Sequence, residues 1–141
     1  MSWLLDTCVI SELVKPSPAA SVCDWLAARD EETLFLSAIT LGELEKGVAK
    51  LPASARKKTQ LARWLRSELP ERFSNRILPV DAQVAARWGE LAGGAAARGK
   101  PLPVIDGLIA ATALQHNLTV VTRNVRDFER CGVRPFNPWA D

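Results

Sequence analysis

Residues 104–122, VIDGLIAATALQHNLTVVT, read as a helix that turns directly into a strand. The helical part, 106–116, carries so few polar side chains that it must be covered on nearly every side. Asn117 is a residue type that accepts the left-handed joint at a helix end, and LTVVT (118–122) is the clearest strand in the chain. Further strands are expected at SWLL (2–5), TLFLS (33–37), RILPV (76–80) and VRPFN (133–137), with helical patterns between them. Strands alternating with helices imply a parallel sheet covered on both faces, the α/β class. At 141 residues the chain is long enough for one core and too short for two.

The helical segments have their own start signals. Ser17 and Pro18 open one, with Val22, Trp25 and Leu26 on a common face. Ser37 or Thr40 opens the next, running to about Lys50, and Ser54 is placed to cap a basic amphipathic segment with Leu61, Trp64, Leu65 and Leu69 inward. Asp81 caps AQVAARWGELA, with Val84, Trp88 and Leu91 at helical spacing. GGAAARGKPLP (93–103), the one Gly/Pro-rich stretch, reads as a loop.

Charge is unevenly spread. Between Lys46 and Arg76 nine Lys or Arg face two acids, Glu68 and Glu71, so the rest of a chain with a total of +2 is net acidic. A basic patch of this kind suits a polyanion or an acidic partner, and equally a solvated helix face. Cys8, Cys23 and Cys131 are odd in number and widely spaced, which argues for a reducing compartment and against a disulfide framework or a zinc site. The apolar start MSWLLDTCVI lacks a basic leader, carries Asp6 and is too short to span a bilayer. A cytoplasmic location without membrane attachment is expected.

Three acids then stand out, because a carboxylate among apolar neighbours costs several kcal/mol unless it is paired, hydrogen-bonded or metal-bound. Asp6 directly follows the first strand, Asp106 heads the apolar helix, and Glu43 lies one to two turns into the helix after strand 33–37. In open parallel sheets the strand carboxyl ends form one rim, and all three belong there, as does the TRNVRDF that follows strand 118–122. Singly, each has a structural explanation. Asp106 reads equally as an N-cap, a role that contributes about 1 kcal/mol. Asp6 suits a strand-end turn, and Glu43 has Lys46 three residues on, while periodicity does not separate Glu43 from Glu45. Collectively, carboxylates converging on one rim repel unless a cation offsets them. An all-oxygen donor set favours Mg²⁺ or Mn²⁺, ions that act on phosphate esters.

These segments also resemble a known family. LLDTCVISEL (4–13), LSAITLGELEKGV (36–48), VIDGLIAATALQHNLTVVTRNVRDF (104–128) and FNPW (136–139) are similar, in order and spacing, to the PIN-domain nucleases, and more narrowly to VapC/FitB-type toxins of type II toxin–antitoxin systems. The resemblance implies a single PIN domain over 1–141, a three-layer α/β/α sandwich around a mainly parallel sheet of four to five short strands. It implies a divalent-metal-dependent endoribonuclease, Mg²⁺ (or Mn²⁺) as cofactor, RNA as substrate, a cognate antitoxin that inhibits, and homodimers that join larger toxin–antitoxin assemblies. Carried over by position, the family acids fall on Asp6, Glu43 and Asp106, as catalytic residues and metal ligands. The fourth, often the Asp of a T-x-D pattern, is Asn124, an amide that adds no charge, so one tightly held ion is expected. Asp127 is a candidate substitute, with capping of the short helix FERCG the favoured role; Thr122 is placed to hydrogen-bond Asp6 or a ligand water, and Thr7 to use its N–H or hydroxyl on the phosphate. The implied reaction is in-line attack by water on the phosphodiester, leaving a 5′-phosphate and a 3′-hydroxyl.

Other residues fit structural roles. His116, the sole histidine, sits in the last turn of its helix, where a partly protonated ring suits the macrodipole. Trp25, Trp64 and Trp88 recur among apolar neighbours as core or interface, and Trp3 and Trp139 are expected to pack on each other. A haloacid-dehalogenase-like phosphatase would need a second Asp at position 8, where Cys stands. A receiver domain would need an acidic pair near the first strand and a Lys after the last, and has neither here. A binding module on the same fold without catalysis stays open, favoured by Asn124 and opposed by the three retained acids.

Overall fold

Each of the five apolar stretches becomes a strand in the computed structural model, which describes residues 1–140. The strands are β1 (Trp3–Leu5), β2 (Leu34–Ser37), β3 (Ile77–Leu78), β4 (Thr119–Val121) and β5 (Pro135–Phe136). They form one sheet in the order β3-β2-β1-β4-β5, every pairing parallel. Strand order therefore reverses between β1 and β4, and the crevice at their carboxyl ends is where such sheets place sites.

Side chains alternate across a strand, and here that alternation sorts the core into two layers. Leu4 and Val120 point to one face, against Ile109, Ala110 and Phe128. Leu5 and Val121 point to the other, with Val9, Ile10, Leu34, Leu36, Leu65, Leu69 and Phe73. Helices cover both faces: α1 (Thr7–Leu13), α2 (Ala20–Ala27), α3 (Ala38–Ala49), α4 (Arg56–Arg63), α5 (Leu69–Arg72), α6 (Ala82–Ala97), α7 (Val104–His116) and α8 (Val125–Glu129). The α/β/α sandwich is as expected.

Several local signals work as read. The Ser37 side chain accepts the Ile39 N–H at 3.0 Å and Asp81 accepts that of Val84 at 2.9 Å, so both cap their helices. Asn117 takes the left-handed conformation (φ 54°, ψ 49°), and Leu118 N–H returns to the Ala113 carbonyl at 2.8 Å. α7 lies against α6 at close range, because an added Cβ on Gly107 would stand 3.2 Å from the Trp88 ring.

Other expectations are corrected. Residues 93–97 are helix rather than loop: α6 continues through Gly93 and Gly94, buries Ala95, and closes at Gly99 (φ 74°), where Lys100 N–H meets the Ala95 carbonyl at 2.9 Å. The alanines, the best helix formers, and the burial of Ala95 offset the two glycines. α2 begins at Ala20, not Pro18, and Ser17 does not cap it; the Glu12 carboxylate accepts the Ala19 N–H at 2.9 Å instead. Ser54 is no cap either, since α4 starts after Ala55 without a side-chain cap. The basic segment passes through a π-helical turn over Trp64–Glu68 just before Pro70, which has no N–H to give. Asp106 is the third residue of α7 and Asp127 the third of α8, so neither is an N-cap. Trp3 packs edge-on against Trp25 (4.9 Å between centroids, 87°), whereas Trp139 faces the Arg123 guanidinium at 4.3 Å.

The basic stretch is also less free than its composition suggests. Arg66 pairs with Glu45, and Arg72 and Arg76 both reach Glu31, acids outside the stretch. Such exposed pairs contribute about 0–1 kcal/mol each, and among the described residues they leave Lys46, Lys50, Arg56, Lys57, Lys58 and Arg63 without an acid partner. No helix among the described residues is long and apolar enough to cross a membrane.

Candidate active site

The turn from β1 into α1 sets the first element. Asp6 is the N-cap of α1 and only 3% exposed. Its Oδ1 accepts the Thr7 N–H at 2.8 Å, and its Oδ2 accepts the Thr122 hydroxyl at 2.7 Å and the Cys8 thiol at 3.6 Å. Thr122 follows β4, and the Asn124 N–H donates to its oxygen at 2.9 Å. Burial pushes the Asp6 pKa up, and these three donors pull it part of the way back. Burial, and then the Asp6 charge, raise the Cys8 thiol, so it is a protonated donor here.

α3 supplies Glu43, whose Oε1 accepts the Thr7 hydroxyl; that hydroxyl also lies 3.2 Å from the Thr40 hydroxyl. Thr7 is thus committed to the two carboxylates, with N–H on Asp6 and O–H on Glu43, and its expected use on a phosphate is not what the geometry shows. Glu45, which periodicity left equivalent, turns to Arg66 instead.

α7 supplies Asp106, half-buried and without a hydrogen bond among the described residues. Its pKa is pushed up to about 6, first by burial and then by the charges of Asp6, Asp127 and Glu43. Burial is the larger cause, and the neighbouring carboxylates add to it.

Asp6, Glu43 and Asp106, drawn from distant segments, line one cavity of about 360 Å³, with Thr7, Cys8 and Asn124 also on its wall. Asp127 is not on that wall; it lines a neighbouring hollow with Asn124 and Arg123. The carboxylates share the cavity without being gathered into a cage: among the described residues no group of three His, Cys, Asp or Glu is set to hold an ion. The reason lies in their partners. Asp6 and Glu43 are satisfied by hydroxyl and N–H donors, and like charges keep all three apart. The donor chemistry nonetheless fits a hard divalent ion, since the exposed edge offers carboxylate and amide oxygens.

Sequence reasoning missed the other lining residues, Ser11, Glu12, Lys15 and Arg123. Cys8, Ser11, Glu12 and Lys15 fall at i, i+3, i+4 and i+7, so a helix immediately after Asp6 would have exposed this face. Glu12 is 4% exposed; Lys15 at 2.9 Å, followed by the Ala19 N–H, holds its carboxyl below the usual range.

Comparison with known proteins agrees with this geometry. The PIN domain profile matches residues 3–133. Toxin FitB of Neisseria gonorrhoeae is 45% identical over 138 residues, covering 98% of this chain and 99% of its own. The tRNA(fMet)-specific endonuclease VapC of Shigella flexneri is 30% identical and covers 99% of both chains. Among solved structures, FitAB bound to an IR36 DNA fragment superposes with a TM-score of 0.90 at 42% identity, over 99% of this chain and 96% of that one. Matched over nearly all its length, with its acids at the reversal of strand order, the chain belongs to the PIN-domain family, in the branch of the VapC/FitB toxins.

Proposed function

We propose that the chain is the toxin of a type II toxin–antitoxin system, a metal-dependent endoribonuclease acting in the cytoplasm. The observation that carries this reading is the convergence of Asp6, Glu43 and Asp106 on one cavity, with Asp106 raised to about 6 by burial and then by the charges of its neighbours. A cavity that concentrates negative charge is costly unless a cation occupies it, and Mg²⁺, with Mn²⁺ as substitute, matches the oxygen donors. Asp6, Glu43 and Asp106 would hold it. The chemistry such an ion supplies is charge neutralisation at the scissile phosphate and acidification of a water. The chain's own groups prepare the site: Thr122 and the Thr7 N–H fix the Asp6 carboxylate, and the Thr7 hydroxyl ties Glu43 to the same turn. Asn124 brings no charge, so one ion is proposed rather than two. In-line attack by water then leaves a 5′-phosphate and a 3′-hydroxyl.

Relatives described as VapBC and FitAB complexes support a cognate antitoxin as partner; its role as inhibitor and a homodimer within the assembly belong to the proposal. The outward charges of Lys50, Arg56, Lys57 and Lys58 suit RNA or an acidic antitoxin segment.

The test is cleavage of bulk transfer RNA by the purified chain across a Mg²⁺ or Mn²⁺ titration, with EDTA and Asp6→Asn as controls. Ion-dependent cleavage that Asp6→Asn abolishes is expected; equal cleavage in EDTA, or by Asp6→Asn, overturns the reading. Asn124 favours a second reading, a module that binds RNA without cutting it, and RNA bound but intact at every ion concentration would support that instead.

A further inference from the structure

The cavity lining carries both signs of charge. Besides the three acids it includes a group of Glu12, which is buried, Lys15 and Arg123. The Lys15 ammonium sits on Glu12 at 2.9 Å and is neutralised there. Arg123 is different. Its guanidinium approaches Glu12 only to 3.8 Å, beyond hydrogen-bond reach, and its side chain stays 53% exposed. With one carboxylate between two cations, the group keeps one positive charge, and Arg123 carries it.

The geometry also holds Arg123 in place. Its guanidinium lies over the Trp139 ring, 4.3 Å from the centroid. Stacking uses the flat face of the group and leaves the N–H edge for an acceptor. Among the described residues no acceptor takes a hydrogen bond from that edge. Trp139 packs in turn on the core beneath β1, so the platform is fixed to the sheet. Arg123 follows Thr122 directly, the residue whose hydroxyl holds Asp6, and it borders both the acidic cavity and the adjoining hollow lined by Val125, Arg126 and Asn137. Arg123 thus stands on the lining shared by the acid-bearing cavity and the hollow beside it.

We propose that Arg123, laid across Trp139 and left unneutralised by Glu12, binds the RNA phosphate adjacent to the scissile one. It is a substrate-holding residue on the lining of the cavity that the acids share. The inference rests on the nuclease reading above, but its test does not need cleavage.

Filter binding of bulk transfer RNA is measured in EDTA over a series of salt concentrations, for the otherwise unaltered chain, Arg123→Ala and Arg123→Lys. A lost phosphate contact weakens binding across sequences and lowers the slope of log affinity against log salt by about 0.7 to 1. Arg123→Ala is therefore expected to bind several-fold more weakly with that shallower slope, and Arg123→Lys to keep the slope and lose less affinity. A merely structural arginine would change affinity without changing the slope. An unchanged slope in Arg123→Ala, equal loss in Arg123→Lys, or no binding by the unaltered chain at low salt overturns the proposal. Failure of the nuclease reading looks different: cleavage would survive EDTA or Asp6→Asn, whatever Arg123 does.

Discussion

The turn after β1 and the start of α7 bring the same side chain to one cavity by opposite means. At the turn, Asp6 is nearly inaccessible and fully supplied with donors, from Thr7, Thr122 and Cys8. At α7, Asp106 has no such partner; it is carried in by the helix backbone, whose approach depends on Gly107 lying under Trp88. One carboxylate is held by hydrogen bonds, the other by packing. On the proposed metal-dependent reading, the difference would separate a ligand fixed in advance from one whose charge is left for an ion to offset.

The largest expected effect tests the fixed side. Asp6→Asn should lower ribonuclease activity on the order of 10²–10³-fold, the usual effect of losing one electrostatic group at a reacting centre. Circular dichroism of that variant should remain native, because the amide oxygen can still accept the Thr7 N–H. Thr122→Val keeps the shape and removes the hydroxyl that orients Asp6. About 10–100-fold should be lost in activity or in metal affinity, measured by calorimetric titration with Mn²⁺. A loss confined to folding stability would mean that Asp6 needs no orientation.

The packed side should give way differently. Gly107→Ala would gain up to about 1 kcal/mol of helix propensity, but its Cβ meets the Trp88 ring, and the net should be a destabilisation of about 1–2 kcal/mol in urea unfolding. A stabilised Gly107→Ala would show that α7 is not seated by that contact. The smallest effect is on pH. Without an ion, folded Asp106 keeps its proton up to about 6 against 3.8 for an ordinary Asp. Between those values the folded chain binds a proton that the unfolded chain has released, so stability declines as pH rises from about 4 to about 6. Urea midpoints across that range should fall less steeply in Asp106→Asn.

The same contrast explains what could be read from the sequence. Ser37, Asp81 and Asn117 act on neighbours a few residues away, and Asp6 and Asp106 stand where a strand end and a helix start announce them. The strands were legible because they are apolar and short, and their parallel pairing follows from the helices between them. Glu43 was inseparable from Glu45 because the choice depends on Thr7 and Arg66, both far along the chain. Arg123 went unnoticed for the same reason: its meaning lies in Glu12 and Trp139, and neither stands beside it in sequence. Gly93 and Gly94 suggested a break, but composition does not reveal that Ala95 would be buried.

The hydrogen bond from Thr122 to Asp6 closes a loop of 116 residues, and β4 lies between β1 and β5 in the sheet. A growing polypeptide therefore lacks this bond until Thr122 has been made. Joining residues so far apart costs loop-closure entropy before the contact repays it. In a protein that cuts RNA, the Asp6 carboxylate would gain its hydroxyl donor only after β4 has been added.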